Sequence, residues 1–395
     1  MQSLSQSPLD PAFIQNPYPF YDRARACGPL FFWPEYDLAC ACSFEAVDSL
    51  LRDRRLGRAQ PVELQRPVPE HLQPFYAFER HSMLELEPPD HTRLRGLVLR
   101  AFTSRRINAM ADQIAALGNR LIDAFPVRTS FDLLPAFAEQ IPVIVISRLL
   151  GVPEEMAPQL LGWSHDMVAM YQANRDRQTE ERAVVATCAF SDFMRDYIDS
   201  RRSRPADDLI STLIAANADG ARLSTDELIT TTILLLNAGH EATVHAIGNG
   251  VKTLLQSGQD IAALLAPERC AATIEETIRL DPPLHMFTRY VYEDMTIFGE
   301  EFKRGAQIGL LLGAANHDPR RFPSPQLLDP ARKDGSNASF GAGLHFCIGA
   351  PLARLELQIA LPILFGRCPT LTLARPPDYA DRYHFHGLTQ LMVRL

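Results

Sequence analysis

The residues with the most chemistry in them stand together near the C-terminus, in Phe340-Gly-Ala-Gly-Leu-His345-Phe-Cys347-Ile-Gly349. One cysteine is framed by three glycines, a histidine and two phenylalanines. Glycines at this density let the backbone turn tightly and approach a flat ligand, since they add no bulk and tolerate positive φ. The run Ala350 to Leu364 that follows is helix-forming. A cysteine at the mouth of a helix lies at the positive end of its dipole, where peptide N–H groups can point at the sulfur. Both effects favour the thiolate, the metal-binding form. A closed structural zinc site needs four ligands, so a single thiolate does not suit it. It can hold one axial position of a haem iron.

Three further clusters could serve such a group. His91 and Arg95 are four apart and share a helix face. Alone they read equally as a solvated basic face; beside a haem they are the two donors a buried propionate needs. Asn237-Ala-Gly-His240-Glu241-Ala242-Thr243-Val-His245 interrupts an apolar helical pattern with polar side chains. Such groups are expensive in a buried helix unless they have partners or a task. A zinc-protease reading fails here: His240 and His245 are five apart, and five residues turn about 140°, so the rings diverge. Glu276 and Arg279, at i and i+3, share a face; alone, they read as an ordinary surface pair.

These residues must be positioned by the rest of a 395-residue chain. That length allows two domains or one large helical domain. A net charge of −8 argues against nucleic acid as the main partner. The polar N-terminus shows no secretion pattern, and no apolar run reaches the roughly 18 residues of a membrane span. The seven cysteines include no C-x-x-C pair, which suits reduced thiols in a cytoplasm. All but Cys347 read as packing or surface residues.

Residues 1 to about 35 are rich in proline and aromatics and read as an irregular segment. Ser43 to Leu51 reads as a short capped helix. Residues 57 to 90, punctuated by prolines, read as a long connection of the kind that covers a binding site. Helices are expected over 108–125, 136–150, 154–171, 178–202, 207–217 and 224–256, with breaks that include Asn174 and Asp219-Gly220. The longest opens with a capping box, Ser224-Thr-Asp-Glu227. After the 271–280 helix, short strands are expected at Phe287–Tyr292, Met295–Phe298 and Ile308–Leu312, and Leu371–Leu373 could pair with Leu391–Val393. Residues 313 to 339 read as an extended lead into the cysteine loop.

At several independent places the chain resembles the soluble bacterial cytochromes P-450, which are haem-thiolate monooxygenases. Phe340-Gly-x-Gly-x-His345-x-Cys347-x-Gly349 fits the family's cysteine loop, Glu276-x-x-Arg279 its E-x-x-R helix, and Ala238-Gly-His-Glu241 the oxygen-side groove of its long helix. His91-x-x-x-Arg95, Arg289 and His345 match its propionate-holding positions. The order and spacing agree from roughly residue 15 to the C-terminus. One position departs. The family usually carries an acid followed by threonine, whereas here Glu241 is followed by Ala242 and the hydroxyl comes at Thr243, about 100° further round the helix.

The resemblance implies a mainly α fold with small β-sheets, a triangular prism whose long central helix crosses over the haem. One domain spans 1–395, with a helix-rich part at about 90–282 and 340–366 and a β-rich part at about 30–60, 284–312 and 370–395. It implies haem b (iron protoporphyrin IX) with Cys347 as axial iron ligand. Phe340, Gly341, Gly349, Ala238, Gly239 and Ala242 would lie against the haem, and His91, Arg95, Arg289 and His345 would hold its propionates. Glu241 and Thr243 are the catalytic candidates on the oxygen side. Glu276 and Arg279 would be structural, tied to the segment before the cysteine loop through Arg332. Met83, Met170, Leu235, Phe287 and Phe385 would line an apolar pocket, with His285 and His386 as polar anchors or structural histidines.

The implied reaction inserts one atom of O2 into a small to medium, largely apolar organic substrate. No flavin or iron–sulfur pattern is present, so electrons would come from a ferredoxin and an NAD(P)H-linked ferredoxin reductase, docked by Arg100, Arg105 and Arg106. An ordinary charge-rich surface helix stays open as the alternative for those arginines. The resemblance further implies a cytoplasmic monomer, free of membrane and nucleic acid. Two alternatives stay open: a haem-thiolate enzyme using peroxide or rearranging its substrate without a redox partner, and a non-enzymatic haem sensor.

Overall fold

Alternation along two short strands builds the first layer of the fold. In the hairpin of Leu30–Trp33 and Leu38–Ala41, Phe31, Trp33, Leu38 and Cys40 enter one apolar cluster, while Leu30, Ala39 and Ala41 enter another. Successive side chains of a strand point to opposite faces, so the sheet separates two cores and is buried on both sides. Asp37, at φ 53°, turns the chain between the strands.

The computed structural model describes residues 1–126, 129–171, 175–216, 222–333 and 335–395. The breaks expected at Asn174 and Asp219-Gly220 lie outside them. The chain forms two compact units, one of residues 1–61, 111–141 and 242–395, the other of residues 62–110 and 142–241. The long Thr225–Gln256 helix contributes to both, passing from one to the other after Glu241.

Among the described residues, the first unit holds all of the sheets. Six strands run in the order Gln2–Ser3, Leu30–Trp33, Leu38–Ala41, Gln307–Leu311, Met286–Val291, Leu56–Gly57. Met286–Val291 pairs antiparallel with Gln307–Leu311, setting Phe287 opposite Leu310 and Arg289 opposite Ile308. Thr372–Leu373 pairs with Met392–Arg394, which also pairs with Phe131–Asp132. The Ala350–Arg367 helix packs on the Ala111–Asp123 and Pro267–Leu280 helices and buries Leu352, Glu356, Leu357, Leu361 and Leu364.

The second unit is helical. Its 27-residue helix Arg177–Ser203 packs on Ala157–Val168 and on Gln73–Glu79. The Asp90–Ala101 helix packs on Leu209–Ala215. The capping box forms as the sequence predicts: Ser224 N–H donates to Glu227 Oε2 (2.8 Å) and Glu227 N–H to Ser224 Oγ (3.1 Å).

Three expectations need correction, one of them the extended 313–339 lead, which opens in the Leu312–Asn316 helix. The N-terminal segment is not irregular: Pro11–Gln15 and Tyr18–Ala26 are helices, each with proline in its first turn, where no N–H is needed. Their Phe13, Phe20 and Tyr21 are buried against the sheet. The 57–90 connection likewise contains a helix, Gln73–Glu79. Among the described residues no helix is long and apolar enough to cross a membrane.

Candidate functional site

The cysteine loop takes its shape from two glycines at φ +67°, Gly341 and Gly343, a conformation L side chains rarely adopt. A Cβ at Gly341 would stand 3.3 Å from the Phe287 ring, and one at Gly343 would run into the Leu51 carbonyl. Cys347 N–H donates to Phe340 carbonyl oxygen (3.0 Å), closing the loop just ahead of the Ala350–Arg367 helix. Cys347 is exposed. Cys40, Cys42, Cys270 and Cys368 are buried, and burial pushes their thiols up, that of Cys42 to about 12. Those thiols stay protonated and inert. Cys347 alone among the cysteines combines exposure with a glycine loop and a following helix.

The loop is braced from outside. The Arg354 guanidinium lies over the Phe340 ring at 4.5 Å and bonds Glu275 on the Pro267–Leu280 helix. Asn316 Oδ1 accepts from Ala338 N–H (2.7 Å), and Ser339 hydroxyl donates to Ile278 carbonyl oxygen (3.0 Å). Neither Arg354 nor Asn316 was marked as a site residue by the sequence; only the tertiary fold reveals what they brace.

Glu276, Arg279 and Arg332 come together. Arg279 donates to both Glu276 oxygens (2.7 and 2.9 Å) and to the carbonyls of Asn316, Pro325 and Leu327. Arg332 donates to Glu276 Oε2 (3.1 Å) and to Pro323 and Ser324 carbonyls. A buried charge pair tolerates its surroundings only when its remaining donors and lone pairs are satisfied, and here they are.

On the Met286–Val291 strand, Phe287 and Arg289 are two apart and share a face. The Arg289 guanidinium lies 5.8 Å from the Phe287 ring, and Phe287 touches the cysteine loop at Gly341. Phe385 is half-buried and bridges Leu284. His345 is half-buried. His285 and His386, by contrast, are wholly inside. His285 bonds Tyr21 hydroxyl (2.6 Å), and His386 stacks on Tyr379 (3.7 Å). Burial pushes both imidazoles well below their ordinary range, so both are neutral core histidines.

In the second unit, His91 and Arg95 stand one turn apart on Asp90–Ala101, His91 buried and Arg95 half-buried. Met83, Met170 and Leu235 are buried, Met170 in a cluster with Leu72 and Phe75. On the long helix Gly239 packs against Ile146, where a Cβ would approach to 3.2 Å. Ala238 is exposed and Ala242 half-buried in the middle of a helix whose flanks are buried, and their i, i+4 spacing puts them on one face. Glu241 and Thr243 are buried. His165, which the sequence did not single out, lies 3.4 Å from Glu241.

Comparison with known proteins decides the family. The sequence pattern described as Cytochrome P450 matches residues 270–378. The chain is 35% identical over 408 residues to the polyketide biosynthesis cytochrome P450 PksS of Bacillus subtilis, covering 100% of both. The chain belongs to the cytochrome P450 family. It is also 35% identical to vitamin D(3) 25-hydroxylase of Pseudonocardia autotrophica, over 97% of this chain and 94% of that one. The structure superposes with a TM-score of 0.91 on P450BioI, solved in complex with hexadec-9Z-enoic acid ligated acyl carrier protein. Identity there is 33%, over 97% of this chain and 100% of the other. It therefore has the P450 fold and is a haem b monooxygenase, an oxidoreductase. The exposed thiol of Cys347, in a loop that leaves no side-chain bulk at Gly341, Gly343 and Gly349, fits such a flat, thiolate-bound group.

Proposed function

We propose that this P450 inserts one atom of O2 into a small to medium, largely apolar organic substrate. Electrons come from a separate ferredoxin and its NAD(P)H-linked reductase, and Cys347 is the residue whose thiolate would hold the haem iron. The observation that carries the reading is the exposed Cys347 thiol in its braced glycine loop. When bound, a haem with a thiolate ligand supplies O2 activation, the electron-rich sulfur favouring O–O cleavage.

The chain's own residues do the rest. Arg95, Arg289, His91 and His345 are the proposed donors to the two haem carboxylates, in charge-assisted hydrogen bonds. Phe340, clamped under Arg354, keeps water from the sulfur. Glu241 holds and passes protons on the oxygen side. Thr243 is the nearest hydroxyl on the helix, while the Ala242 methyl leaves the expected alcohol absent, so ordered water or a substrate hydroxyl completes the path.

Met83, Met170, Leu235, Phe287 and Phe385 are the proposed substrate contacts, an apolar set. The names of two relatives support this, since vitamin D(3) and hexadec-9Z-enoic acid are largely apolar molecules. For the ferredoxin, Arg100 and Arg105 are exposed, whereas Arg106 is half-buried and donates to Thr212 hydroxyl (3.0 Å). The docking proposal therefore narrows to Arg100 and Arg105. The proposed setting is a cytoplasmic monomer.

The deciding experiment is the spectrum of the reduced, CO-bound protein for wild type and Cys347→Ser. The wild type should give the thiolate-ligand Soret band and the variant should lose it; a band retained in the variant would end the reading. Ala242 favours one competitor, a peroxide-driven or rearranging enzyme. Turnover that proceeds equally without ferredoxin and NAD(P)H would establish that one instead.

A further inference from the structure

Three side chains of the second unit converge on one point. His165, on Ala157–Val168, places Nε2 3.4 Å from Glu241 Oε2. His240, on the long helix, places its own Nε2 3.4 Å from the same oxygen. Both separations exceed the roughly 2.7–3.2 Å of a good N–H···O bond. They match the edge of a tetrahedron around a divalent ion: with ligand bonds of about 2.0–2.1 Å, neighbouring donors stand about 3.3–3.4 Å apart. The three ligand atoms all lie within 4.8 Å of one another.

His240 adds a second, independent observation. Its Nδ1 lies 3.0 Å from the Leu236 carbonyl, which can only accept, so Nδ1 carries the ring proton. In the neutral ring Nε2 is then a bare lone pair, buried and with no hydrogen-bond partner, aimed at a carboxylate oxygen. Two electron-pair donors held face to face repel one another unless a cation, either a proton or a metal ion, lies between them. The Nδ1–H bond to a backbone carbonyl is also the contact that orients imidazoles in metal sites.

We propose that His165, His240 and Glu241 form a binding site for a divalent transition-metal ion of the zinc class, whose occupation inhibits the enzyme by taking Glu241 out of the proton path. The binding site stands on geometry alone; the inhibition rests on the relay role proposed above for Glu241. Two imidazoles and a carboxylate are a common zinc donor set that leaves a fourth position open. The His165 side chain is 56% exposed, which gives the ion a way in from solvent. The nearby Asp166 is paired with Arg182 at 3.6 Å. The helix-periodicity argument that excludes His240 with His245 does not apply, because the second imidazole comes from another helix.

The test uses the full-length, haem-loaded enzyme, stripped with chelator and titrated with Zn²⁺ alone by calorimetry, with metal analysis after equilibrium dialysis. Wild type should bind one equivalent that His165→Ala and Glu241→Gln each weaken by about tenfold or more. His165 is largely exposed, so its truncation should leave folding intact, and the metal-free turnover of each variant serves as the reference for its own zinc response. No stoichiometric binding, or binding that neither variant weakens, overturns the site and leaves a shared proton as the cation. Zinc should also slow turnover of wild type and not of His165→Ala; binding without inhibition overturns the regulatory half. Failure of the relay reading shows separately, as metal-free Glu241→Gln with wild-type turnover and coupling.

Discussion

Arg279 grips Glu276 with two hydrogen bonds, 2.7 and 2.9 Å long, and the pair is almost wholly buried, at 0% and 3% exposure. Removing Arg279 leaves the buried Glu276 carboxylate with Arg332 as its one remaining charged partner, and loses every bond the guanidinium makes. Arg279→Ala should therefore cost about 3–5 kcal/mol. It would also release the Asn316, Pro325 and Leu327 carbonyls. Arg279→Lys should rescue little, since an ammonium cannot reproduce the fork. Haem content after purification and a thermal melt check both; wild-type haem content in Arg279→Ala would contradict the structural role.

Ala242→Thr restores the alcohol expected beside Glu241. It should change the fraction of NAD(P)H electrons that reach product rather than peroxide or water. Coupling and product distribution identical to wild type would show that this helix position has no part in proton supply.

Reversing Arg100 and Arg105 to glutamate should weaken the apparent affinity for ferredoxin and flatten its dependence on ionic strength, as expected for charge-steered docking. Both are exposed, so the thermal midpoint should hardly move. An unchanged affinity at low salt would remove this surface from consideration.

Glu356 is fully buried, and neither carboxyl oxygen has a hydrogen-bond partner among the described residues. Burial pushes its pKa well above the ordinary 4.5. The unfolded chain ionises above 4.5 while the folded chain keeps the proton, so stability falls as pH rises through that window. Glu356→Gln removes the penalty. Its melting temperature should exceed that of wild type by a margin that grows from about pH 5 to pH 8. An equal margin at both would show the carboxyl to be ionised in the native protein.

His317 works in the opposite direction. Burial pushes it down to about 4, and it bonds the Leu280 carbonyl (2.9 Å) while stacking on Tyr18 at 4.0 Å. The unfolded imidazole protonates first, so its contribution is whole above 6.5 and is lost as pH falls towards 4. The loss, once complete, is on the order of 3 kcal/mol. His317→Phe keeps the stack without the titration and should flatten part of the acid limb in urea melts at pH 7 and pH 4.5; an acid limb as steep as wild type would assign the loss elsewhere.

Local spacing made much of this molecule legible. The capping box at Ser224 and the helix after Cys347 rest on contacts within a few residues, and the late strands show in their own short apolar runs between turn residues. The N-terminal helices were hidden because proline reads as a breaker until it is known to sit in a first turn. His165 was invisible for another reason. Its partner Glu241 is on a different helix, and no periodicity along either sequence encodes that meeting. His285 and His386 read equally as pocket anchors or structural histidines, because type alone does not distinguish a lining histidine from one sealed in the core.

From Asn316 to Leu327 the backbone is held by Arg279 and Arg332, which grip the Asn316, Pro323, Ser324, Pro325 and Leu327 carbonyls. A segment fixed this way has no slack. Each residue added or removed shifts the chain by up to about 3.5 Å, far more than a hydrogen bond can absorb. Among homologues, length variation should therefore gather in other loops and avoid this one. Grafting a foreign substrate loop onto this scaffold should succeed in the 62–72 region long before it succeeds here.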